Sequence, residues 1–104
     1  MENKELSIDA VIRNEKIRFI RQKNRCEERL LDYPRGTLVV RESGGRKYCY
    51  FKYRDGKRVI TKYAGTFAKF GVLNAMVTER EKLTEEIKQL TASIDRIERM
   101  EAVK

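Results

Sequence analysis

The chain has 104 residues and is rich in charge, with 24 lysines and arginines against 16 aspartates and glutamates. That length supports one modest core. The absence of histidine removes the commonest general base and metal ligand, and two cysteines are too few for a disulfide framework or a zinc site. No apolar run approaches a membrane span and no signal-like stretch opens the chain, so it reads as soluble and cytoplasmic, without membrane contact.

The first predicted element is a helix over about residues 4–33. Ile12, Phe19, Cys26, Leu30 and Tyr33 form one stripe, with Ile17, Ile20 and Leu31 beside it, a breadth that predicts contact with more than one neighbour. Asn3 and Ser7 are both candidate caps, and Pro34 with Gly36 stops the helix.

From Thr37 the period changes to two. TLVVRE, KYCYFKYR and KRVITKY read as the strands of an antiparallel meander over residues 37–63. Ser43-Gly44-Gly45-Arg46 and Asp55-Gly56 supply the turns. A Gly-Gly turn sets Arg41 opposite Tyr48 and Val39 opposite Tyr50. An Asp-Gly turn would set Arg54 opposite Lys57, Tyr50 opposite Thr61 and Tyr48 opposite Tyr63. One face then carries Val39, Arg41, Tyr48, Tyr50, Lys52, Arg54, Lys57, Val59, Thr61 and Tyr63. The other, with Leu38, Val40, Cys49, Phe51, Tyr53 and Ile60, is the drier and is assigned to the core. Both cysteines thus fall at apolar positions and are expected as buried free thiols.

The linker over residues 64–71 places Phe67 and Phe70 where a strand hands over to a helix, and they are read as closing the core. A second helix follows over about 72–102. Its Leu73, Met76, Leu83, Ile87, Leu90, Ile94 and Ile97 make a heptad seam broken only by Arg80. The expected fold is α+β, a single domain of two long helices, paired as an antiparallel hairpin or coiled coil, flanking a three-stranded antiparallel meander. The seam residues Leu83, Ile87, Leu90, Ile94 and Ile97 would serve that pairing, a homodimer, or a helical protein partner.

Charge is segregated along this plan. Residues 1–32 carry eight basic and seven acidic side chains, and residues 72–104 carry six and seven. Residues 33–71 carry ten basic side chains against Glu42 and Asp55 alone, so the whole excess of +8 lies there. A basic, aromatic ribbon suits nucleic acid, with DNA favoured over RNA. Arg41, Arg46, Lys52, Arg54 and Lys57 would meet phosphates or base edges, while Tyr48, Tyr50 and Tyr63 stack on bases or bond the backbone. The alternative is a non-catalytic structural or interaction module acting through the heptad helix. No nucleophile elbow or P-loop spacing is present, and the reading assigns no enzyme activity, catalytic residue, cofactor or metal.

The run from Pro34 and Gly36 through Tyr48, Tyr50 and Phe51 to Tyr53, Arg54, Gly56 and Lys57, closed by Tyr63 and Gly65, has a Pro-x-Gly, aromatic strand, Tyr-Arg-x-Gly-Lys, Tyr-x-Gly pattern. With the heptad helix after it, this resembles a family of small uncharacterised proteins from clostridia-like bacteria and their mobile elements, which implies no particular activity. The hairpin Tyr53–Arg58 is also similar to the arm-binding domains of tyrosine integrases, a resemblance that implies a sheet laid in the DNA major groove.

Overall fold

The computed structural model describes residues 7–103. The fold is α+β: helix α1 (Ile8–Leu30), strands β1 (Thr37–Ser43), β2 (Arg46–Asp55) and β3 (Arg58–Thr66), a 3₁₀ turn (Phe67–Lys69) and helix α2 (Phe70–Ala102). The chain divides into two compact units, one spanning Leu31–Lys82 and the other joining the described residues up to Leu30 with those from Leu83 onward.

In the second of these units, α1 is capped by Ser7, whose Oγ accepts the Ala10 N–H at 3.1 Å. This is the N-cap to N3 bond that satisfies an orphan helix donor. The competing candidate Asn3 lies outside the described residues. The helix ends at Leu30, three residues short of the expected limit. Pro34 explains this, because its ring has no N–H for the Leu30 carbonyl and would clash with it.

Lys16 Nζ donates to Glu101 Oε1 at 2.9 Å and lies 3.4 Å from Glu98. Gln22 donates to Glu86 at 2.9 Å. These contacts run in opposite order along the two helices, so α1 and the carboxy-terminal part of α2 are antiparallel. Leu83, Leu90, Ile94 and Ile97 are buried within the chain, as is Cys26 on α1. Ile12, Phe19 and Leu30 are half-buried at matching heptad steps. The breadth of the α1 stripe does not become burial: Ile17, Ile20 and Leu31 are exposed, the last at 85%.

In the sheet unit the strand order is β1-β2-β3, all antiparallel. The β1–β2 register is the expected one, with Arg41 opposite Tyr48 and Val39 opposite Tyr50. Gly44 and Gly45 both have positive φ, at 59° and 79°, as a two-residue type I′ turn demands. The β2–β3 register differs from expectation. Asp55 pairs with Arg58, Arg54 with Val59 and Tyr50 with Tyr63. The turn residues are Gly56 and Lys57, with positive φ at Gly56 alone, the pattern of a type II′ turn. This placement spares Asp55 a left-handed backbone, which costs a non-glycine residue about 1–2 kcal/mol.

The pairing thereby moves two positions along β3, and a shift of two keeps every side chain on its face. A bulge follows, with Cys49 opposite Gly65 and Ala64 as the extra residue, and β3 runs on to Thr66. The expected linker 64–71 is therefore strand, 3₁₀ turn and the first residues of α2. Cys49, Phe51 and Leu73 form the buried centre, packed by Leu38, Ala64, Phe70, Met76 and Val77. Phe70 joins this core, while Phe67 stacks on it at 5.3 Å and stays 44% exposed beneath the Lys47 ammonium. Both cysteines are buried and free.

Candidate nucleic-acid interface

Alternation along the strands fixes what the sheet's outer face carries. Phe51 and Cys49 point into the core with α2, so their neighbours Tyr48, Tyr50, Lys52 and Arg54 on β2 face away from it. Through the register, Val39 and Arg41 of β1 and Val59, Thr61 and Tyr63 of β3 join them, with Arg46 at the strand end. Arg41, Arg46, Lys52, Arg54 and Lys57 are all exposed. The structure brings Arg41, Arg46, Lys52 and Arg54 onto this one face with the three tyrosines, and places Lys57 in the β2–β3 turn.

The tyrosines form a contiguous cluster. Tyr50 and Tyr63 are direct cross-strand partners with ring centroids 5.6 Å apart in an edge-on arrangement, and Tyr48 lies 6.3 Å from Tyr63. Tyr48 and Tyr50 are half-buried, whereas Tyr63 is 59% exposed. The Arg41 guanidinium sits 5.5 Å above the Tyr50 ring, a cation–π contact that orients it. An Asp-Gly turn would have put Tyr63 opposite Tyr48; the observed register places it against Tyr50, between the other two rings.

Charge divides by face as well as by segment. Glu42 is paired with Lys47 and Asp55 with Arg58, so both acids of the middle segment lie on the helix side of the sheet. The outer face, among the described residues, carries cations and no carboxylate. Neither helix contributes a residue to the tyrosine cluster.

One grouping carries almost no signal in the sequence. Arg35, just after Pro34, lays its guanidinium over the Tyr53 ring at 4.6 Å and donates to the Arg54 carbonyl at 3.3 Å. Only Gly36 hints at it. That residue has φ of +97° and lies so close to β2 that a Cβ there would meet the Lys52 carbonyl oxygen at 2.4 Å. Among the described residues, no three histidine, cysteine, aspartate or glutamate side chains come together as metal ligands would, and no helix is long and apolar enough to cross a membrane. Compared with known family models, curated proteins and solved structures, the chain matches none.

Proposed function

We propose that the chain is a nucleic-acid-binding module that presents the outer face of its sheet to the ligand, with DNA favoured over RNA. The observation that carries this reading is the sorting of charge by face. Arg41, Arg46, Lys52 and Arg54 share one surface with three tyrosines, while Glu42 and Asp55 are turned to the other. Random decoration of a solvated sheet with lysine and arginine does not require its acids to leave the same face.

The mechanism is electrostatic first. Cations on the face neutralise phosphates and release counterions, and Tyr63 offers an accessible ring for stacking or for a hydrogen bond to the backbone. Three strands spaced about 4.8 Å apart span about 10 Å of backbone, against a major groove roughly 12 Å wide in B-form DNA. The deep, narrow major groove of A-form RNA does not admit such an element. The helix pair is, on this reading, scaffold. Its heptad seam offers less to a partner, because Leu83, Leu90, Ile94 and Ile97 are already buried within the chain.

The test is fluorescence anisotropy of labelled duplex DNA, single-stranded DNA and RNA at several salt concentrations. Five cations each meeting one phosphate give a log–log salt slope of about −4.5 on duplex DNA. Arg54→Glu/Lys57→Glu removes two, leaving a slope of about −2.7 by the same rule. Absence of binding at low salt sinks the proposal.

A further inference from the structure

On the helix side of the sheet lies a cleft of about 520 Å³ between residues 31–35 and the β3 edge, where Tyr63 of the tyrosine cluster also lines it. That volume is within the ~300–1,000 Å³ typical of small-molecule sites. Phe51 and Leu73, both buried, line its depth, and half-buried Tyr33 and Tyr53 add aromatic wall. Its charged lining residues are Arg35 and Lys62, and no acid lines it. Arg35 is held by two contacts, the Tyr53 ring at 4.6 Å and the Arg54 carbonyl at 3.3 Å. Lys62 is the cross-strand partner of Phe51 and is exposed at the rim.

We infer that this cleft binds a planar aromatic anion, and specifically a nucleoside monophosphate. An apolar ligand would leave two cations unmatched. A bare anion would make no use of the aromatic walls. A base joined to a phosphate engages both, with the ring against the aromatic side chains and the phosphate between Arg35, whose planar fork suits it, and Lys62. The same chemistry is offered by a free mononucleotide and by the 5′-phosphorylated end of a strand. The site shares Tyr63 with the outer face but none of that face's cations, so Arg54→Glu/Lys57→Glu distinguishes a failure of one from a failure of the other.

The experiment is titration calorimetry of the full chain with adenosine monophosphate, adenosine and inorganic phosphate, with NMR of the tyrosine rings as a second readout. Adenosine monophosphate binds at one site and at least about tenfold more tightly than either fragment. Arg35→Ala and Lys62→Glu, both at exposed side chains, each weaken it by about tenfold or more. Arg54→Glu/Lys57→Glu leaves it unchanged. Comparing a 5′-phosphorylated oligonucleotide with its 5′-hydroxyl form separates the two sources: a preference for the phosphorylated end that Arg35→Ala abolishes assigns the cleft to strand ends, and equal binding of the two assigns it to the free nucleotide. Adenosine monophosphate binding no tighter than its fragments, or equally tight in both cleft variants, overturns the inference.

Discussion

Tyr63→Ala separates stacking from electrostatics on the proposed interface. Tyr63 is 59% exposed, so its removal forfeits little burial. What it loses is ring contact, with Tyr50 at 5.6 Å and Tyr48 at 6.3 Å. Aromatic pairs contribute about 0.5–1.5 kcal/mol each beyond burial, and with the longer contact near the low end the stability cost is about 1–2 kcal/mol. A base stacked on an exposed ring is worth about 1–3 kcal/mol, so affinity for single-stranded DNA falls roughly fivefold to 150-fold. The salt slope stays where it was, because no cation has been removed. Anisotropy titrations across salt measure both quantities, and a circular dichroism melt confirms that the variant is folded. Tyr63→Phe keeps the ring and should keep the affinity. Unchanged single-strand binding by Tyr63→Ala, or a loss that appears as a shallower slope, refutes the stacking role.

Three further outcomes follow from packing and charge. Gly36→Ala puts a Cβ 2.4 Å from the Lys52 carbonyl oxygen and 2.9 Å from Tyr53 Cβ at a φ of +97°, and neither obstacle is the free end of a flexible side chain. The left-handed backbone alone costs about 1–2 kcal/mol, and the clash adds to it, so the urea midpoint of the sheet unit drops clearly. Leu83→Ala, at a side chain only 2% exposed, costs about 2–5 kcal/mol; a change under 1 kcal/mol would show that the site is not tightly packed. Alkali should destabilise the helix pair. Burial, then the neighbouring Glu86 carboxylate, pushes the Cys26 thiol up from its ordinary value, and the Glu101 hydrogen bond holds the Lys16 ammonium above its own. Both groups keep their protons longer when folded, so stability is full below the unfolded-state values and falls as pH climbs through the thiol and then the lysine range. Urea midpoints against pH check this, with Cys26→Ala expected to remove the earlier part of the fall; a midpoint that rises in alkali contradicts it. Slow alkylation of native Cys26 by a thiol reagent is the companion observation.

What the sequence could reveal depended on how local each signal was. Gly44-Gly45 can fill both positive-φ positions of a tight turn, so the β1–β2 register was legible. Asp55-Gly56 was not, since one glycine serves either central position and the backbone preference of Asp55 decides which. The heptad seam was legible from its period, and its burial within the chain was not, because the same pattern suits any helical partner. Counting charge by thirds also hid a feature of α1. Arg18, Arg21 and Arg25 line one side of that helix, where Glu15 pairs with Arg18, and the other acids of residues 1–32 cancel the rest in the sum.

The outer face keeps the same residues under the altered β2–β3 register for a geometric reason. The β2–β3 pairing was displaced by two residues, an even step, so Lys52, Arg54, Thr61 and Tyr63 kept their side of the sheet. An odd step would have sent Tyr63 to the core side and brought Lys62 to the outer one. The bulge at Ala64 makes that odd step, and it does so only after Tyr63 has paired with Tyr50. Gly65 and Thr66 lie beyond it, where β3 leaves for the 3₁₀ turn and α2. The bulge therefore sits where it can re-aim the chain toward the helix while leaving the tyrosine cluster intact. Deleting Ala64 should restore continuous pairing, with Gly65 still opposite Cys49 and Thr66 still opposite Tyr48. The cost falls on the buried Cys49–Phe51–Leu73 centre, against which Ala64 packs, and the tyrosine face should lose affinity only as far as the fold itself is lost.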